Sequence, residues 1–471
     1  MTDSIDEVMP LLPQPQRKGP TPLPKLQLAI VMLVQICEPL TSQSIYPFIN
    51  QLVSELDITG GDEKKVGYYA GLIEALFFIT ESITVLQWSR ASDYIGRKPV
   101  LTIGLLGSAI SMLCFGLSRT FWALVVSRCL TGLLNGNSGV MKSTLADLLD
   151  SSNRAQGFAY IPLIWATGAS LGPLIGGSLS RPQDRFPKTF TGRFWADFPY
   201  FLPCLVTAAF VFFSFLVVLL LFKETVPQRT KKDDTRLEGH DAENGENSQS
   251  AKPRAPLPLR ELFTFPIIIS VSNYFALAFL NIALAALLPL FLAMPLEIGG
   301  LGLPPFTIGV ILAVYGCTTG LFQVSFFSRL VRRFGERRVF IFGLSTCLPI
   351  FAILPLISLV AQKSGLTFGI WILVGCVLVL GAMMDSSFGA IFMFIVASAP
   401  KSSRGTVNGL SQTTASISRA IGPVLSTSLF SLSVEWNILG GYAVYAFFFI
   451  LSALALLLAR RLPERVWDEE D

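Results

Sequence analysis

The chain reads as an all-α membrane protein of twelve transmembrane helices in two six-helix, pseudo-symmetric halves, and three observations predict this. Its 471 residues are 52% hydrophobic and only 14% charged, too few charges to cover a soluble globule of this size. Twelve apolar runs reach the ~20 residues that a helical span requires. Finally, a polar hinge between the second and third runs, Ser89-Arg-Ala-Ser-Asp-Tyr-Ile-Gly-Arg-Lys98, returns between the eighth and ninth as Ser328-Arg-Leu-Val-Arg-Arg-Phe-Gly-Glu-Arg-Arg338. Ser, Arg, Gly and the final basic residue keep their spacing, and an aromatic, Trp88 or Phe327, precedes each copy. A half-length duplication in an apolar chain is the mark of transporters built from repeats.

Taken in order, residues 1–26 form a polar, Pro-rich tail, expected to be disordered and to contain no cleavable signal peptide. Within it, Glu7 followed by Leu11-Leu12 resembles an acidic dileucine signal for vacuoles or lysosomes, a loose pattern that chance also produces. The first half, 27–223, holds segments at 27–49, 66–88, 99–118, 122–146, 157–179 and 199–222. A linker at 224–263, rich in Asn, Asp, Glu, Lys and Ser, is expected to be disordered and holds the lone His240, a solvated side chain. The second half, 264–460, holds segments at 264–294, 306–327, 339–361, 368–398, 407–430 and 439–459, before a tail at 461–471.

Most of the 36 Lys and Arg lie in the two tails, the two hinges and the linker. This asymmetry places both termini in the cytosol. The modest net charge of +4 gives a nucleic-acid partner no support. All seven cysteines (Cys37, Cys114, Cys129, Cys204, Cys317, Cys347, Cys376) lie in apolar runs without Cys-x-x-Cys spacing, and read as small buried hydrophobes. No metal site, cofactor or catalytic residue is expected, since no His, Cys or Ser constellation has catalytic spacing. The chain is expected to act as a monomer in the lipid bilayer.

Segment 5 contains Gly168-Ala-Ser-Leu-Gly-Pro-Leu-Ile-Gly-Gly177. Gly168, Gly172 and Gly176 line one helix face and let a neighbour approach closely, while Pro173 bends the helix. Six ionisable residues stand inside segments: Glu38, Glu74, Glu81, Arg128, Asp385 and Arg419. A charge at the bilayer centre costs about 2.5–3.5 kcal/mol, so these residues are expected to line a polar cavity between the halves, with Arg128 facing Glu38, Glu74 or Glu81. Carboxylates so placed are natural proton carriers, Glu38 first and Glu74 and Glu81 behind it. Static ion pairs that lock helices together are the plainer alternative. Gln43, Tyr46, Asn135, Asn281 and Gln323 are the expected substrate contacts. At the cytosolic ends, Lys142 and Asp147 are placed at headgroup level, Arg97 is expected to pair with Asp147 or Asp150, and Asp93 to meet the amino terminus of segment 11 near Gly405 to Asn408. The loop at 180–198, with Arg181, Arg185, Lys188 and Arg193 among aromatics, reads as a solvated cap or a gate.

The hinge also carries a resemblance. Asp93, Gly96, Arg97 and Lys98 match Gly-x-x-x-Asp-Arg-x-Gly-Arg-Lys, the signature of the major facilitator superfamily. Ser89 and Tyr94 depart from it, as do Arg332 and Glu336 in the second copy. In segment 5, Gly168, Gly172, Pro173, Gly176 and Gly177 match every fixed position of Gly-x-x-x-Gly-Pro-x-x-Gly-Gly, the antiporter signature of the superfamily's exporters. Arg419-Ala-Ile-Gly-Pro423 echoes it, and Arg128 with Gly132 resembles the antiporters' Arg-x-x-x-Gly element. Cys37-Glu-Pro39, Tyr46-Pro-Phe48, Pro199-Tyr-Phe-Leu-Pro203 and Arg404-Gly-x-x-Asn-Gly409 resemble the drug:proton antiporters near the zinc-induced-facilitator-like and tetracycline-exporter-like branch.

The resemblance implies the major facilitator fold, rocking of the halves, and a hinge contact that latches the outward-facing state. It further implies proton-coupled efflux of a small organic molecule (a drug, toxin or secondary metabolite), with the proton gradient as energy source. Proton-coupled uptake, vacuolar sequestration of a specific metabolite, and a non-transporting receptor on the same fold are the alternatives. The expected site is the plasma membrane, alternatively the vacuolar membrane.

Overall fold

A computed structural model of the protein describes residues 24–149, 161–225, 264–398 and 404–464. Each of the twelve apolar runs holds a helix, and no strand occurs among the described residues. The first half comprises α1 (Lys25–Gln43), α2 (Val66–Ile95), α3 (Arg97–Gly116), α4 (Phe121–Leu134, resuming as Asn137–Leu148), α5 (Ile161–Leu179) and α6 (Phe201–Leu221). The second comprises α7 (Phe265–Ala293), α8 (Pro305–Phe322, extended by Gln323–Phe327 and Ser328–Phe334), α9 (Glu336–Ser345 and Cys347–Ser364), α10 (Phe368–Ser398), α11 (Arg404–Glu435) and α12 (Ala443–Ala459). Large apolar side chains such as Trp122, Val126, Leu220 and Ile450 are exposed on the helix faces, as a lipid solvent allows.

The duplication is visible in the packing. Within the first half α1 packs on α5, α2 on α4 and α3 on α6; within the second α7 packs on α11, α8 on α10 and α9 on α12. The halves meet along two seams, α2 with α11 and α5 with α8, which the repeat exchanges for one another. Both hinges turn on a glycine in the left-handed region, Gly96 at φ +101° and Gly335 at φ +81°. Each joins two helices with a single intervening residue, a conformation glycine adopts at little cost.

Three elements differ from expectation. The first run does not stay helical to residue 49: α1 ends at Gln43, the chain turns, and a short helix follows at Ile49–Ser54. Pro39 has removed one backbone donor, and the hydroxyls of Thr41 and Ser44 take carbonyls of the preceding turn, Cys37 O at 2.8 Å and Thr41 O at 2.9 Å. The fourth run breaks at Asn135 and Gly136, two poor helix formers. α8 contains a π-helical turn, Gln323–Phe327, just before the second hinge.

The cysteines also differ from expectation. Cys37, Cys204 and Cys347 are buried, but Cys114, Cys317 and Cys376 lie on exposed faces of membrane helices. A thiol is apolar enough to face lipid tails as readily as a core.

Candidate functional site

Five of the six intramembrane ionisable residues fall into three groups. In the first half, Arg128 and Glu74 are both almost fully buried. Of the three acids expected to face Arg128, Glu74 lies within its electrostatic reach. No direct salt bridge forms: Arg128 Nε and Glu74 Oε2 are both buried without a hydrogen-bond partner. The guanidinium lies instead near the rings of Phe77 and Phe115, 5.4 and 5.7 Å from their centroids. Tyr46, in the turn after α1, is buried within the electrostatic reach of Glu74, Arg128 and Arg419.

Glu81 forms the second group with a residue expected to touch substrate. Asn135 Nδ2 donates to Glu81 Oε1 at 3.0 Å in a buried bond. The break in α4 makes this possible by turning Asn135 out of the helical ladder, and Trp88 Nε1 donates to the nearby Leu133 carbonyl at 2.8 Å. Beside Asn135, a cavity of about 20 Å³ is lined by Glu38, Thr41, Thr131 and Asn137, room for one water molecule. Glu38 is half-buried and faces this cavity.

The third group lies in the second half. Asp385 of α10 accepts three hydrogen bonds from neutral donors: Asn281 Nδ2 at 2.6 Å, Tyr315 OH at 2.9 Å and Thr319 Oγ1 at 3.1 Å. Asn281 was expected to contact substrate. Tyr315 and Thr319 escaped sequence reasoning, although two hydroxyls four apart in an apolar helix present one polar face.

Arg419 of α11 stands apart. Its guanidinium is half-buried and lies 6.0 Å from the ring of Phe78 on α2 and 5.6 Å from that of Trp165 on α5. It therefore reaches across from the second half to the first.

The glycine face of α5 packs on the end of α1. A side chain at Gly168 would strike Pro39, at Gly172 it would strike Gln43 and Leu40, and at Gly176 it would strike the Ser44 backbone. Pro173 and Gly177 turn to the other half, where their backbones touch Gly309 of α8. Gln43 is thus a packing neighbour of Gly172, while Gln323 opens the π-helical turn of α8.

Contacts across the halves gather at the end opposite the hinges. Tyr68 OH donates to Glu435 Oε2 at 3.1 Å, and the Arg185 guanidinium lies 3.6 Å above the Phe306 ring. Arg181 bonds Glu55 at 3.0 Å and Asp184 at 2.8 Å. Glu55, Arg181, Asp184, Arg185 and Phe306 border a vestibule of about 760 Å³ that both halves line.

At the hinge end, Arg97 Nε donates to Asp147 Oδ2 at 3.2 Å, and its guanidinium also reaches Ser92 Oγ. Glu224, assigned from sequence to the disordered linker, belongs instead to the folded hinge. Its carboxylate accepts the backbone N–H groups of Arg97 and Lys98 at 2.8 and 3.0 Å, an anion at a helix amino terminus. The side chains of Asp93, Lys142, Gly405 and Asn408 lie outside the described residues, as do Asp150, the dileucine tail, His240 and the rest of the linker.

Comparison with known proteins places this geometry. The sequence profile described as Major Facilitator Superfamily matches residues 31–423 and, in a second match, 290–470. The chain is 31% identical to the "Major facilitator-type transporter psiT2" of Psilocybe cyanescens over 90% of its own length and 87% of that protein's. It is 30% identical to the "Efflux pump azaK" of Aspergillus niger over 98% and 96%. Its fold is similar to the crystal structure of a bacterial homologue of the human lysosomal transporter Spinster, with a TM-score of 0.65 at 15% identity over 96% and 100% of the two chains.

Proposed function

The chain belongs to the major facilitator superfamily, and we propose that it exports a small organic molecule by alternating access, with protons moving in the opposite direction. It is an integral, multi-pass membrane transporter rather than an enzyme. The observation that carries the export reading is the glycine face of α5. All its fixed positions are those of the exporter signature, and they form the surface on which α5 meets α1 and, through Gly177, the opposite half. The relative named an efflux pump, matched over nearly its whole length, supports the same direction.

Proton coupling rests on carboxylates held inside both halves, Glu38, Glu74 and Glu81 in one and Asp385 in the other, with Arg128 facing Glu74. A proton that binds an acid changes what its neighbours can pair with, and so biases the rocking of the halves. The proton gradient supplies the energy and no cofactor takes part. The protein acts as a monomer with both termini in the cytosol, in the plasma membrane or, alternatively, the vacuolar membrane. Gln43, Tyr46 and Gln323 border the substrate path.

The test is transport by purified protein in liposomes under an imposed pH gradient, with a panel of fluorescent organic compounds and Glu38→Gln beside wild type. Wild type moves a compound only with the gradient, and Glu38→Gln does not. Gradient-independent movement, or equal movement by the variant, overturns coupling through Glu38. If neither folded protein moves any compound, a receptor or a narrow metabolite carrier becomes the better account.

A further inference from the structure

Among the described residues, Arg128 and Arg419 are the intramembrane cations without a hydrogen bond or ion pair, and of the two Arg128 is almost fully buried while Arg419 is half-buried where the halves meet. Glu74 acts on Arg128, Asn135 serves Glu81, three donors serve Asp385, and Glu38 has an interaction of its own. Among the described residues Arg419 makes no hydrogen bond and no ion pair, only contacts with the rings of Phe78 and Trp165. Asp385 already accepts from three neutral donors, which use most of the acceptor sites of its carboxylate. A guanidinium whose N–H groups are unengaged is the opposite case. Its planar fork matches an oxyanion, and low-dielectric surroundings strengthen that bond.

We propose that Arg419 is the receptor for the anionic group of the transported molecule, and that this molecule is an aromatic or conjugated organic anion such as a carboxylate, enolate or sulfonate. The aromatic requirement comes from the two rings that flank the guanidinium. Phe78 is half-buried and Trp165 exposed, so both rings keep accessible surface beside the guanidinium, the kind of surface on which a planar ligand stacks. Because the rings belong to α2 and α5 and the charge to α11, a ligand seated here touches both halves at once. A transported molecule must do so for its binding to favour one orientation of the halves over the other. This inference rests on the transporter reading above and narrows its substrate class; it moves Arg419 from proton coupling to substrate recognition.

The test is equilibrium binding, which needs no pH gradient. Protein in phosphatidylcholine nanodiscs is titrated against fluorescein and rhodamine 6G, dyes with one ring system and opposite charge, with anisotropy corrected by empty nanodiscs. Fluorescein is expected to bind about tenfold or more tightly than rhodamine 6G. Arg419→Gln abolishes the preference, Arg419→Lys retains part of it, and Trp165→Leu weakens fluorescein without reversing the order. Equal or tighter rhodamine binding to wild type overturns the proposal, as does no binding of either dye. So does unchanged fluorescein binding by a monodisperse Arg419→Gln protein. Arg419-dependent binding of a dye that no pH gradient moves upholds this inference and overturns proton-driven export.

Discussion

The carboxylate of Glu224 accepts the backbone N–H of Arg97 at 2.8 Å, so a residue three places beyond the last helix of the first half caps the helix that leaves the hinge. The second half repeats the arrangement by other means. Arg337, two residues after the hinge glycine Gly335, donates to the Arg460 carbonyl at 2.6 Å and faces Glu464 at 3.7 Å, beyond the end of α12. Each half thus ties its final helix back to its own hinge.

Replacing Glu224 by Ala leaves two amino-terminal N–H groups of α3 without their acceptor. We expect a loss of about 1 kcal/mol, read from denaturation of purified protein. Asp147→Asn removes only a partly exposed ion pair and should cost less. Glu224→Ala protein as stable as wild type would show that the cap holds nothing.

The three donors to Asp385 make a second prediction. Tyr315→Phe or Asn281→Leu each removes a bond to a carboxylate inside the membrane, at about 1.5–3 kcal/mol. In a double-mutant cycle, Tyr315→Phe and Asp385→Asn should couple by 0.5 kcal/mol or more, because the two side chains share one bond. Additive losses would mean that the hydroxyl does not serve the carboxylate.

Close packing of α5 on α1 makes a third. A Cβ at Gly172 would lie 2.9 Å from Gln43 Cβ and 3.0 Å from the Leu40 carbonyl oxygen, so Gly172→Val should cost about 1–3 kcal/mol and abolish transport. Gly375 of α10 has nothing within 4 Å of the same position, and Gly375→Ala should be neutral or slightly stabilising. Equal tolerance at both sites would refute close packing as the role of the α5 glycines.

Much of this architecture was legible because a bilayer demands long apolar runs, and twelve of them stood out. The helix breaks were not. Pro39 is the visible warning in α1, yet the helix runs through it and ends four residues later, where side-chain hydroxyls compete for carbonyls. The acids were legible as charges in apolar surroundings, but their partners were not, since Asn135, Tyr315 and Thr319 are unremarkable until folding brings them to a carboxylate. Glu224 was misread for the opposite reason: it is the second charged residue after a long apolar run, and sequence gives no sign that the chain turns back there.

In the first half, the acid Glu81 sits on α2 and its donor Asn135 at the break in α4. In the second half, the donors Tyr315 and Thr319 sit on α8, the counterpart of α2, while the acid Asp385 sits on α10, the counterpart of α4. Giver and taker of the hydrogen bond have traded places, so the halves are not interchangeable parts. A protein assembled from two copies of the amino-terminal half would place both acids at the same repeat position; this chain has inherited the pairing twice and its polarity only once.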